Sequence, residues 1–135
     1  MDNKYHFGIR SLKNLTGVHP DLVKLMQESI KNSPYDFAII EGLRSPERQR
    51  EMYNTGKSQT LLGRHIEGMA IDLMVYVDGK GTWLNKYYNE LSTHIKTVAL
   101  SLNIPIIYGG DWRSIVDCVH YELDRKFYPG SYKGN

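Results

Sequence analysis

The chain has 135 residues, of which 41% are hydrophobic and 24% are charged, so it is long enough to form one folded domain with its own core. Its formal net charge of +2 is too small for nucleic-acid binding to be the default expectation. No apolar run approaches the roughly 18 residues that a membrane span requires. A single cysteine, Cys118, excludes an internal disulfide and a cysteine-rich zinc site, so any metal ligands must be histidines and carboxylates.

The first part of the chain predicts helices around one strand. Residues 11–18 are ambiguous, with a short helix as one interpretation. Pro20 suits the first turn of a helix whose apolar residues recur at helical spacing. Residues 37–40 form a short apolar run that predicts a buried strand. Ser45, followed by a proline and an acid, predicts the start of a further helix that closes near residues 54–56.

The second part begins with residues 56–68, a polar segment without clear periodicity that predicts a loop. Residues 69–77 predict a strand that ends at an Asp-Gly turn. Residues 104–108 and 119–123 predict two more strands. A strong helix lies between them, and its predicted buried face comprises Leu84, Tyr88, Leu91, Ile95, Val98 and Leu102. This order lacks regular β-α-β alternation, so we expect an α+β fold with an antiparallel sheet.

Two segments carry side chains suited to metal chemistry. His65 lies near the end of the polar loop, and Asp72 lies seven residues later in a predicted strand, where a carboxylate is unusual unless it is paired or binds a metal. His120 begins the last predicted strand, with Asp117 before it and Glu122 after it. Two imidazoles and a carboxylate suit a zinc site with an open fourth position, where bound water becomes a nucleophile. Asp117 or Glu122 could be the general base, and their spacing alone does not choose between them.

The same residues form motifs of a known family. The pattern His-x-x-Gly-x-Ala-x-Asp at residues 65–72 resembles the signature of the zinc D,D-carboxypeptidase and L-alanyl-D-glutamate endopeptidase family. The acid and histidine at residues 117–120, followed by a short apolar strand, resemble the second family motif. Residues 42–45, Gly-Leu-Arg-Ser, resemble the arginine-bearing strand end of the family. Residues 108–112, Tyr-Gly-Gly-Asp-Trp, resemble a stretch of the phage members that cut peptidoglycan, and all four elements occur in the family's order.

The resemblance implies a zinc (Zn²⁺) ligand set of His65, Asp72 and His120. It also implies that Asp117, rather than Glu122, is the general base and acid. Arg44 would hold the substrate carbonyl or the developing oxyanion. Gly63 stands where the family usually has a serine two residues before the first histidine. This departure affects the expected fit of the substrate, whereas the ligands and the base are intact.

The resemblance also implies a fold and a biological role. The fold would be a small antiparallel sheet with helices packed on it and the zinc site on the sheet, as in hedgehog and D,D-peptidase domains. We expect residues 1–135 to form a single catalytic domain without a separate wall-binding domain. Its substrate would be the L-alanyl-D-glutamate bond of peptidoglycan stem peptides, cut by a phage endolysin during host-cell lysis. We expect a monomer, made in the host cytoplasm without a signal peptide, that reaches the periplasm through a membrane pore and binds neither nucleic acid nor, stably, a membrane.

Two alternatives remain open at the level of sequence. A D-alanyl-D-alanine carboxypeptidase or dipeptidase would use the same zinc ligands, so substrate assays are needed to distinguish it. A non-catalytic, zinc-stabilised binding module on the same fold would leave Asp117 and Arg44 dispensable.

Overall fold

The computed structural model describes residues 4–56 and 63–130, which form an antiparallel sheet and four α-helices. The strands are β1 (Asp36–Glu41), β2 (Ala70–Val77), β3 (Lys80–Thr82), β4 (Ile106–Tyr108) and β5 (His120–Leu123). The helices are α1 (Ile9–Asn14), α2 (Pro20–Ile30), α3 (Pro46–Asn54) and α4 (Asn85–Leu102), and a short 3-10 turn (Gly109–Asp111) follows β4. The predicted α+β fold with an antiparallel sheet is therefore confirmed.

Strand β2 is the centre of the sheet, whose order is β1-β2-β5-β4. Along one edge β2 pairs with β1, and along the other edge it pairs first with β5 and then with β3. The register places Asp72 opposite Glu41 of β1 and opposite His120 of β5. Three segments that are distant in sequence therefore meet at the beginning of β2.

The side chains of β2 alternate between two environments, as the pleat of a strand requires. Ile71, Leu73 and Val75 are fully buried, whereas Asp72 and Met74 are half-buried on the opposite face. The buried face joins one core cluster with apolar residues of α2 and α4, including Leu22, Leu25, Met26, Tyr88, Leu91 and Ile95. Burying this face in the core leaves the other face of the sheet available for polar side chains such as Asp72.

Local signals in the sequence fix several element boundaries. Ser45 accepts a hydrogen bond from the Arg48 backbone N–H and caps α3, with Pro46 in the first helical position. Asp78 and Gly79 both have positive φ angles, 52° and 77°, which suit the tight hairpin between β2 and β3. None of the helices in the described ranges is long and apolar enough to cross a membrane.

Some predictions need correction. Leu84 was expected on the buried face of α4, but it precedes the helix and is 62% exposed, because the helical turn begins at Asn85. Strand β3 was not predicted, since its three residues have no apolar alternation and form only by pairing with β2. Helix α1 begins and ends earlier than the ambiguous segment 11–18 suggested. Of the predicted loop, residues 57–62 lie outside the described residues.

The hydroxyl of Tyr88 joins α4 to the sheet and yields a test of the fold. It accepts a hydrogen bond from the Val75 N–H (3.1 Å) and donates one to the Thr82 carbonyl oxygen (2.7 Å). We expect Tyr88→Phe to lower the free energy of unfolding by about 1–3 kcal/mol, because buried backbone groups lose this partner. Urea unfolding would measure the change, with Tyr53→Phe as control because the Tyr53 side chain is exposed. Equal stability of Tyr88→Phe and the unaltered protein would contradict the assignment.

Candidate metal centre

Three predicted ligands come together at the start of β2. The β2–β5 register brings His120 beside Asp72, and the turn that precedes β2 brings His65 to the same place. The Asp72 Oδ1 atom lies 3.2 Å from His65 Nε2 and 3.1 Å from His120 Nδ1. One donor atom from each residue lies within 4.8 Å of the others. Two imidazole nitrogens and a carboxylate oxygen at this spacing could hold a metal ion.

The opposite nitrogen of each ring has its own partner. His65 Nδ1 lies 2.9 Å from the Gly42 carbonyl oxygen, and His120 Nε2 lies 2.8 Å from Glu122 Oε1. Both partners accept hydrogen bonds, so these nitrogens carry hydrogen and donate. In the neutral rings the remaining nitrogens then present lone pairs toward Asp72. Metal-binding histidines show this arrangement, in which an outer acceptor fixes the ring and its tautomer.

The charges of the cluster favour a cation at its centre. Burial alone would raise the pKa of Asp72, but hydrogen bonds from His120 and His65 outweigh it and hold the pKa below its ordinary value. Burial alone would lower the pKa of His120, yet its hydrogen bonds to Asp72 and Glu122 raise that pKa to about 9. A metal ion bound to His120 Nδ1 would displace any proton carried by that nitrogen.

Asp117 lies next to the cluster in the loop before β5. Its backbone N–H donates to the Gly109 carbonyl oxygen (3.0 Å), and its own carbonyl accepts from the His120 N–H (3.2 Å). A Cβ at Gly109 would collide with the Asp117 carbonyl oxygen and crowd His120, so this close approach requires glycine. Burial and the charge of Asp72 raise the pKa of Asp117, and its carboxylate also interacts with both histidines. The Asp117 carboxylate is therefore subject to the charges of all three candidate ligands.

Glu122 occupies a different position from Asp117. Its carboxylate meets the His120 nitrogen that points away from Asp72. The two acids that sequence spacing could not separate therefore lie in different places around one histidine. Glu122 is therefore placed to support the ring of His120.

Arg44 lies three residues after the end of β1, and its side chain is buried beside the cluster. Its Nε donates to Glu41 Oε2 and its Nη1 donates to Gln49 Oε1, each at 2.7 Å. The remaining Nη2 lies 3.9 Å from Asp72 Oδ2. The guanidinium group is thus held by two bonds while its third nitrogen faces the candidate metal ligands.

The small residues between His65 and Asp72 permit close backbone contacts. Gly68 has φ +72°, and a Cβ there would lie 2.6 Å from the Gly17 carbonyl oxygen. The Gly68 carbonyl accepts a hydrogen bond from the His19 N–H (2.8 Å), which joins this turn to the start of α2. Ala70 is fully buried where β2 pairs with β5.

Several contributors to the centre were not identified from sequence. Glu41 and Gln49 hold Arg44, the Gly42 carbonyl orients His65, and Arg64 lies 3.9 Å from the carboxylate of Glu122. Gln49 lies on a helix of polar composition, so no pattern marks it as buried. Arg64 directly precedes His65, and this position beside a motif histidine was the one feature of the sequence that pointed to Arg64. The other contacts depend on the tertiary structure, so no spacing of residues in the sequence reveals them.

Known proteins provide an independent comparison. The L-alanyl-D-glutamate peptidase of Escherichia phage T5 is 30% identical over 132 residues, which cover 95% of this chain and 96% of that protein. The peptidoglycan L-alanyl-D-glutamate endopeptidase CwlK of Bacillus subtilis is 29% identical over 123 residues, covering 78% of this chain and 73% of the relative. The crystal structure of the Serratia marcescens L-Ala D-Glu endopeptidase ChiX superposes with a TM-score of 0.87 at 37% identity, covering 96% of this chain and 98% of the other.

The family comparison agrees with these relatives. The model of the phage L-alanyl-D-glutamate peptidase family matches residues 3–133, a range that includes every element of the sheet and the complete candidate metal centre. The chain therefore belongs to the phage L-alanyl-D-glutamate peptidase family.

Proposed function

We propose that this protein is a zinc-dependent endopeptidase that hydrolyses the L-alanyl-D-glutamate bond of peptidoglycan stem peptides. The observation that carries the proposal is the convergence of His65 Nε2, Asp72 Oδ1 and His120 Nδ1, with the outer ring nitrogens bound by acceptors. These three residues would hold zinc and leave a fourth coordination position open, as catalytic zinc sites do. The names of the relatives and of the family supply the substrate class.

The residues around the cluster can each perform a separate step of hydrolysis. Bound zinc would supply a water molecule acidified to a pKa of about 7 and would polarise the scissile carbonyl. Asp117 would take the proton of the attacking water and return it to the departing amine of D-glutamate.

Arg44 would bind the carbonyl oxygen of the substrate as negative charge develops on it. Its bonds to Glu41 and Gln49 fix the guanidinium group before substrate arrives, so little reorganisation is needed. Removal of a comparable donor in other enzymes reduces turnover by roughly 10²–10³-fold. The same magnitude is expected for loss of the Arg44 guanidinium.

The phage relatives support a finer proposal about biological context. A phage enzyme of this kind would act as an endolysin, made in the host cytoplasm and reaching the wall in the periplasm through a membrane pore. The chain would work there as a single, monomeric catalytic unit whose partner is the stem peptide.

Digestion of purified peptidoglycan tests the proposed activity. Mass spectrometry of the soluble products, with and without a chelator, should detect peptides that begin at D-glutamate only when the metal is present. Zinc added after chelation should restore their release. Release of D-alanine alone would instead indicate a carboxypeptidase, and no release by zinc-loaded protein would indicate a non-catalytic binding module.

The role of Asp117 can be tested separately from metal binding. We expect Asp117→Asn to keep stoichiometric zinc but to reduce turnover by about 10²–10⁴-fold, because the amide cannot accept the proton. Metal analysis and the fragment assay would measure the two properties. Asp124→Asn is a matched control, since its carboxylate accepts a local hydrogen bond from the Lys126 N–H. If Asp117→Asn retains full turnover, another group must be the general base.

A further inference from the structure

We propose that Arg64 is a positioning residue of the metal centre, and that it acts on His120 through the carboxylate of Glu122. The inference rests on the metal centre of the proposed function but concerns residues outside the candidate ligand set. It assigns a role to a buried arginine that neither the zinc ligand set nor the hydrolytic steps require.

The carboxylate of Glu122 lies between His120 and Arg64. Its Oε1 atom is 2.8 Å from His120 Nε2, and its Oε2 atom is 3.9 Å from Arg64 Nε. The side chains of Glu122 and Arg64 are only 13% and 3% exposed. Because both side chains have so little access to water, the guanidinium charge of Arg64 is weakly screened and attracts the Glu122 carboxylate.

Arg64 is held firmly in this position. Its Nη2 donates to the carbonyl oxygens of Leu123 (2.9 Å) and Tyr128 (2.8 Å), and its Nη1 donates to Glu67 Oε1 (3.2 Å). Its Nε is buried without a hydrogen-bond partner among the described residues, and it forms the ion pair with Glu122. Leu123 directly follows Glu122 on β5, so the guanidinium group is fixed to the strand that carries the carboxylate.

This arrangement connects Arg64 with both candidate histidine ligands. It adjoins His65 in sequence, and its charge holds the acceptor of His120. Without Arg64, Glu122 would lose the attraction of the guanidinium group and could turn away from the ring. His120 would then lose the acceptor that directs Nδ1 toward Asp72. Loss of such an outer partner typically weakens metal binding by roughly 10–100-fold.

A purely structural role makes a different prediction. Arg64 also binds the Tyr128 carbonyl and so ties the segment after β5 to the rest of the fold. If that were its whole role, its removal would lower stability but leave the zinc affinity of the folded protein unchanged. Zinc affinity therefore separates the two roles, whereas thermal stability alone does not.

A double-mutant cycle tests the proposal on the full chain. The variants are Arg64→Met, Glu122→Ala and the combination, each checked for folding by circular dichroism. Zinc dissociation constants would be measured by competition with a chromophoric chelator, in the absence of substrate. Each single change should weaken zinc binding, by roughly 10–100-fold for Glu122→Ala. The combination should be no weaker than Glu122→Ala, because Arg64 acts through Glu122.

Unchanged affinity in Arg64→Met, or losses that add in the double variant, would overturn the proposal. If Arg64→Met does not fold, Arg64→Lys replaces it in the cycle. Lysine keeps the positive charge, but its single nitrogen cannot contact all the groups that the Arg64 guanidinium binds. We then expect a several-fold loss that disappears in the Glu122→Ala background, and an unchanged affinity would again overturn the proposal.

Tyr128→Phe is the matched control for the segment after β5. It removes the hydrogen bond from the Tyr128 hydroxyl to Asp21 Oδ2 (2.7 Å) but keeps the carbonyl that Arg64 binds. It should lower the unfolding temperature without changing zinc affinity. Weakening of zinc binding equal to that in Arg64→Met would assign the effect to the segment and contradict the proposal. If the protein binds zinc but does not cleave peptidoglycan, the proposed peptidase activity is rejected. The proposal for Arg64 is not affected by that result.

Discussion

The direction of two imidazole rings is the constraint on which the site depends. The Gly42 carbonyl and the Glu122 carboxylate each bind one ring nitrogen, which turns the other toward Asp72. Neither ring could rotate without leaving a buried polar group unpaired. His65 and His120 would therefore already be oriented for a metal ion, so the affinity of the proposed centre would not be reduced by the cost of ordering these ligands.

Strand β2 makes this orientation possible because it brings three parts of the chain to one place. Its first residues pair with the end of β1, which carries Gly42 and Arg44 beyond it, and with the beginning of β5, which carries His120. Its alternate side chains lie in the core and fix the register, since a shift by one residue would bury Asp72. The same strand thus couples the stability of the core to the geometry of the site.

Local patterns predicted the elements well, whereas contacts between distant residues were less predictable. The cap at Ser45, the hairpin turn after β2 and the alternation of β2 are all readable from neighbouring residues. Strand β3 was missed because only its pairing with β2 makes it a strand, and Leu84 was misplaced because helix boundaries depend on the preceding turn. The spacing of the motif residues identified the candidate ligands. Their ring directions could not be predicted, since these depend on Gly42 and on the carboxylate of Glu122.

We propose that zinc binds through one donor atom each of His65, Asp72 and His120. A crystal structure of the zinc-loaded protein, with anomalous diffraction recorded at the zinc absorption edge, tests it most directly. We expect one zinc ion at about 2.0–2.2 Å from His65 Nε2, an Asp72 carboxylate oxygen and His120 Nδ1, with Glu122 still bound to His120 Nε2. A zinc ion coordinated by His120 Nε2, or located away from Asp72, would contradict it.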